Sequence, residues 1–174
     1  MKKMILILSV LLFSSCGSYY KMSTFYNAHK NDDKVTAMQV PRFMFAVLKG
    51  LSPEMNSVLA NVNDLRYIQL QPKNKSAAQA VQAEINQLTN ERFTDIYRKN
   101  DLLKRTLVSV REQGNVIKEV IVHTTAGEKH TVLYLNGNFN PTTIKQYAET
   151  GKFDNLAQSI TQQYSWNTTA PISY

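Results

Sequence analysis

The chain has one cysteine among its 174 residues. A lone thiol excludes an internal disulfide framework and any multi-cysteine zinc or iron–sulfur site. Six glycines and five prolines exclude collagen-like and low-complexity architectures. Charged residues make up 19% against 43% hydrophobic, too few charges and too many apolar groups for a disordered chain. There is no Gly-x-Gly-x-x-Gly or Walker loop, no Gly-x-Ser-x-Gly and no His-Glu-x-x-His. Internal repeats are absent too, and the length suits a single domain.

The one long apolar run, Met4 to Phe13, follows Lys2 and Lys3 and precedes Ser14, Ser15 and Cys16. That is the layout of a signal peptide. As a helix the run rises about 15 Å, half of a hydrocarbon core of about 30 Å, so it does not read as a permanent span. Cys16 occupies the place of the acylated cysteine in a bacterial lipobox, with Phe13 standing where Leu is usual. The expectation is removal of residues 1–15, with acyl chains such as palmitate on Cys16. Several chains anchor stably, since each buried CH₂ contributes about 0.8 kcal/mol. The polar stretch 16–34 then reads as a tether, and the mature net charge becomes +5, because two of the 20 basic residues leave and no acid does. That charge favours contact with an anionic envelope surface. Without an Arg/Lys stripe interleaved with aromatics, and with export, nucleic acid is not a partner.

From 35 to 160 the pattern reads as one domain. Val35–Val40 is a strand, and Pro41 opens a helix carrying Phe43, Met44, Val47 and Leu48 that Gly50 closes. Ser52-Pro53 starts another helical turn, Asn61–Asp64 turns the chain, and Leu65–Leu70 is a strand. A long helix spans Ser76–Tyr97 with Val81, Ile85 and Leu88 inward and Arg92 at the rim. Strands follow at Arg105–Arg111, Val116–Thr124 and Thr131–Asn136, with hairpin turns at Gln113-Gly114 and Ala126-Gly127. Asn140-Pro141 opens a last main helix, Phe153–Ile160 adds a short one, and 161–174 is a polar tail. The order β-α-β-α-β-β-β-α predicts an α+β fold. It pairs a largely antiparallel sheet, ending in a three-strand meander, with packed helices, and its first strand–helix–strand unit fits a right-handed crossover.

Three features carry a family resemblance. They are the lipobox cysteine with its short polar tether, the strand–Pro–helix segment Val35 to Met44, and the meander running Leu107–Val110, Val116–Val122 and Val132–Gly137. Over about Phe25 to Gln158 the chain resembles the Bacteroidetes lipoprotein family called domain of unknown function 4252. The resemblance implies a lipid-anchored envelope domain and brings no catalytic residues. The tether has no acidic run like the surface-export signals of these bacteria. The expected location is therefore the outer membrane facing the periplasm, with the cell surface as second choice.

Two groups of residues stand out for function. An Ala126-Gly127 turn places His123 directly opposite His130, close enough to share a transition metal with Glu128 or Glu119. Their place beside a hairpin tip reads more simply as two solvated histidines, so no metal or other cofactor is expected. His29, near Asp32 and Asp33, reads as part of a solvated loop, and Glu84 and Glu91 as a solvated helix face. In the meander both sheet faces are apolar. If helices leave one uncovered, the candidate interaction face is Val108, Val110, Ile117, Ile121 and Tyr134, with Glu119 among them. Val120, Val122, Leu133 and Leu135 form the core face, with Lys118 at its edge. A non-enzymatic binding or adaptor module is the reading, with an envelope protein or a second copy as partner. A small envelope hydrolase acting on glycan, lipid or peptide is the alternative.

Overall fold

The computed structural model describes residues 17–51, 53–89 and 92–168. Six strands form one sheet: β1 (Val35–Gln39), β2 (Val62–Leu70), β3 (Thr94–Asn100), β4 (Arg105–Gln113), β5 (Val116–Ala126) and β6 (Lys129–Phe139). Their order is β1-β2-β6-β5-β4-β3, and every neighbouring pair is antiparallel. The α+β class and the C-terminal meander are as the sequence predicts. β1 and β2 are adjacent antiparallel strands, so their link is not a parallel crossover. A strand, β3, also stands where the long helix was expected to run on.

Helices cover both faces. On the back face lie α1 (Gly17–His29) and α4 (Lys75–Leu88). The front face carries α2 (Met44–Leu51), a 3₁₀ turn at Pro53–Met55, α3 (Asn56–Leu59), α5 (Pro141–Glu149) and α6 (Lys152–Thr168). Asn140 is the cap the sequence offers, and α4 adds one at Asn74. Asn74 accepts from Ala77 N at 2.9 Å at the start of α4. Asn140 accepts from Thr143 N at 3.2 Å ahead of Pro141. Each bond satisfies a backbone donor that the first turn cannot. Gly50 lies inside α2 without a positive φ, whereas Gly151 closes α5 at φ +70°. Ser52 lies outside the described residues.

Two expectations about the ends are corrected. Residues 17–29 are not a polar tether. They form α1, whose Met22, Phe25 and Tyr26 are buried against Ile68, Ile85 and Tyr134. Residues 161–168 continue α6 rather than a loose tail, because Phe153, Leu156 and Ile160 commit the helix to the front core. Cys16, residues 1–15 and residues 169–174 lie outside the described residues. No described helix is long and apolar enough to cross a membrane.

One close approach pins the end of β6. A Cβ on Gly137 would stand 2.0 Å from the Asn61 carbonyl oxygen, where Asn138 N donates at 3.2 Å. Only glycine lets the two backbones meet there.

Candidate functional site

The β5–β6 turn sets the histidine geometry. Ala126 pairs with Lys129, so the turn residues are Gly127, at φ +61°, and Glu128. That is one step along from Ala126-Gly127. His130 therefore faces Thr125, and His123 faces Val132. The histidines share the back face but meet diagonally, with Nε2 of His123 3.2 Å from Nδ1 of His130 and rings stacked at 5.4 Å. They are not solvated. Both are buried, and α4 lies over His130. Glu128 is exposed at the turn, and Glu119 is held elsewhere by Arg111. No group of three or more potential ligands gathers among the described residues.

Burial, with His130 beside it, pushes the His123 pKa down to about 4, and burial lowers that of His130 as well. The folded state thus binds fewer protons than the unfolded chain between pH 4 and 6.5. Stability from His123 is full above pH 6.5 and disappears as pH falls toward 4, at most about 3 kcal/mol. His29 works the other way. Burial lowers its pKa, but Glu84 and Asp32, each 2.8 Å from a ring nitrogen, raise it further. Its contribution is full below pH 6.5 and fades as pH rises through the raised value. The clamp joins α1 to α4, so His29 and Glu84 are not free solvated groups. The urea midpoint should drop between pH 7 and pH 4.5. His123→Gln, which does not titrate, should flatten that slope, and an unchanged slope would place the proton uptake elsewhere.

The candidate interaction face does not exist as one surface. Val108, Val110, Ile117, Ile121 and Tyr134 are each at most 1% exposed. Val108, Val110 and Ile117 belong to the front core, Ile121 and Tyr134 to the back core. The cause is a β-bulge: Glu112 pairs with Ile117 but Arg111 with Glu119, leaving Lys118 as the extra residue. One inserted residue reverses the alternation of faces along β5. Among the described residues, the exposed large apolar side chains are instead Phe43, Val47 and Leu51 around α2, and Leu102 and Leu103 between β3 and β4.

The bulge also builds a charged strip across the back face that sequence patterning missed. Arg111 donates through Nε to Glu119 at 2.7 Å and through Nη2 to the same oxygen. The buried Tyr134 hydroxyl lies beside Glu119, and its pKa is raised first by burial and then by Glu119 and Asp64. Arg66 donates to Asp64 at 2.8 Å, Gln39 donates to Asp64 at 3.1 Å, and the Tyr26 ring stacks 5.5 Å from the Arg66 guanidinium. Two acids and two arginines cancel, so the strip is neutral overall, although Glu119 Oε2 has no hydrogen-bond partner among the described residues.

Helix cover stops short at the end of the sheet where the β5–β6 turn lies, and a polar opening remains on each side. On the back, a groove of about 760 Å³ runs between α4 and the uncovered strands β3 and β4. Gln82, Asn86, Arg98, Arg105, His123 and Thr125 line it. On the front, a cleft of about 590 Å³ lies under α6, lined by Thr36, Gln69, Thr124, Thr131 and Lys129 over Val122, Leu133 and Phe153.

The model of the family described as domain of unknown function (DUF4252) matches residues 25–147. That is well over half of the chain, and the protein belongs to this family. No curated protein matches it. Among solved structures it is similar to PA94, a Pseudomonas aeruginosa protein of unknown function, at 8% identity over 83% of this chain and 87% of that one. The TM-score is 0.31, too low a likeness to carry an inference.

Proposed function

We propose that the protein is a lipid-anchored, non-enzymatic binding module of the cell envelope. It is held in the outer membrane by Cys16 and presents its polar openings to the periplasm. One observation supports this reading best: the helix nearest Cys16 and the openings point to opposite ends of the sheet. Tyr26 of α1 sits over Arg66 in the middle of β2, and six residues after His29 the chain enters β1 at Val35, opposite Leu70. α1 therefore ascends toward the open end, and its Gly17 end points the other way. The nine residues of β2 span about 30 Å. An acyl group on Cys16 thus leaves both openings well clear of the bilayer. A protein or a second copy of the chain is the partner class that the reading carries forward.

The test is metabolic labelling of the full chain with palmitate. Label on the wild type and none on Cys16→Ser, with the variant released or stalled before processing, supports the anchor. Label retained on Cys16→Ser overturns it.

A hydrolase remains the second reading because Thr125 Oγ1 lies 3.2 Å from His123 Nε2, a nucleophile–base spacing at the groove wall. Purified protein should show no hydrolytic rate that depends on His123, His130 or His29. A rate abolished by His123→Ala would overturn the non-enzymatic reading.

A further inference from the structure

One register position on the front face is polar in every strand. Thr36 faces Gln69, Gln69 faces Thr131, Thr131 faces Thr124, Thr124 faces Thr106, and Thr106 faces Lys99. The next rung inward is Met38, Tyr67, Leu133, Val122, Val108 and Tyr97, apolar or aromatic throughout. The polar rung is only half buried, because α6 passes over it and leaves the 590 Å³ cleft open. A rung that merely completed the core would carry the same residue types as its neighbour.

We propose that this cleft binds a sugar unit carrying one acidic group. The strand backbones are committed to their ladders, so recognition falls to side chains. Hydroxyls and amides both donate and accept, as a polyhydroxylated ring does. Neighbouring strands lie about 4.8 Å apart, so an adjacent pair such as Thr131 and Thr124 has the scale of a single pyranose. Val122, Leu133 and Phe153 supply an apolar floor for the C–H face of such a ring. Tyr67 donates to Gln69 at 3.0 Å and also bonds Thr131, which fixes both groups at the floor. At the rim Lys104 is held by Asp154 at 2.8 Å, whereas Lys129 has no carboxylate partner among the described residues. That leaves one uncommitted cation for one anionic substituent. In the back groove Arg98 is paired with Asp95 at 3.0 Å, and the lining comes from α4 and strand edges rather than from one polar rung across the sheet.

This proposal deepens the binding reading and does not depend on acylation of Cys16. The test is saturation-transfer NMR on the full mature chain in a sugar-free nonionic detergent, with glucuronate, glucose and acetate as probes. The expected result is saturable transfer to the glucuronate ring protons. Lys129→Gln should weaken glucuronate binding to the level of glucose. The Thr124→Val/Thr131→Val pair, which keeps shape and strand preference, should weaken both sugars about tenfold. A circular dichroism melt matching the wild type shows that the Val pair is folded. Absence of transfer from glucuronate, transfer undiminished in the folded Val pair, or displacement of glucuronate by equimolar acetate would each overturn the proposal. Loss of palmitate label with sugar binding intact would overturn only the anchor.

Discussion

Ile121→Lys is expected to abolish the cooperative melt of the domain. Ile121 is 1% exposed in the back core with Ile68, Val132 and Tyr134. Removing it forfeits about 2–5 kcal/mol of burial and packing. The new ammonium adds several kcal/mol of desolvation unless it finds a counter-charge or loses its proton. Glu119, the acid two positions away, is already held by Arg111. A domain of this size has about 5–15 kcal/mol in total, so little folded population should remain. Ile121→Val should cost only about 0.5–1.5 kcal/mol in a urea titration. A Lys variant that melts like the wild type but loses self-association would return Ile121 to a surface.

Arg111→Ala is the second large effect. Glu119 is 1% exposed, and Arg111 is the cation that donates to it. Deleting one partner of a buried pair leaves an uncompensated charge and typically costs about 3–5 kcal/mol. Arg111 is partly exposed, so the lower end of that range is expected. Arg111→Met combined with Glu119→Gln removes both charges and should recover most of the loss in the same titration. If the double variant is as unstable as Arg111→Ala, the cost lies in packing around β4 and β5 and not in charge.

Local patterns were legible wherever a side chain acts on its own backbone. Asn140-Pro141 opens α5 as read, and Val81, Ile85 and Leu88 do face the sheet. The segment after Leu88 was misread because Phe93 and Ile96 continue a helical spacing by chance. In the fold Ile96 packs on the front core as part of β3, and Leu88 packs at the back. α1 was misread because its apolar residues are few. Met22, Phe25 and Tyr26 form a stripe one turn long, and its partner, the back face of the sheet, is distant in sequence.

The functional surface was the least legible part. The meander strands were located within a few residues, but their faces depend on register, and register depends on where each turn and bulge falls. The shift at Lys118 moved Val108, Val110 and Ile117 to the side opposite Ile121. The Thr/Gln rung is likewise invisible along the chain. Each member is one ordinary polar residue near a strand end, and only the ladder aligns the six.

The sequence by itself determined the class of fold, the apolar segments that must be buried, the helix cap at Asn140 and the signal-like start with its single cysteine. These follow from neighbours a few positions apart, where period, cap chemistry and composition act locally. Only the tertiary structure decided which face each strand residue occupies, that both faces are covered, and that two acids and two arginines meet in the interior. The same holds for the two polar openings at one end of the sheet. Those outcomes rest on strand pairing between segments up to 75 residues apart. There a single bulge residue costs little locally yet reverses every side chain beyond it.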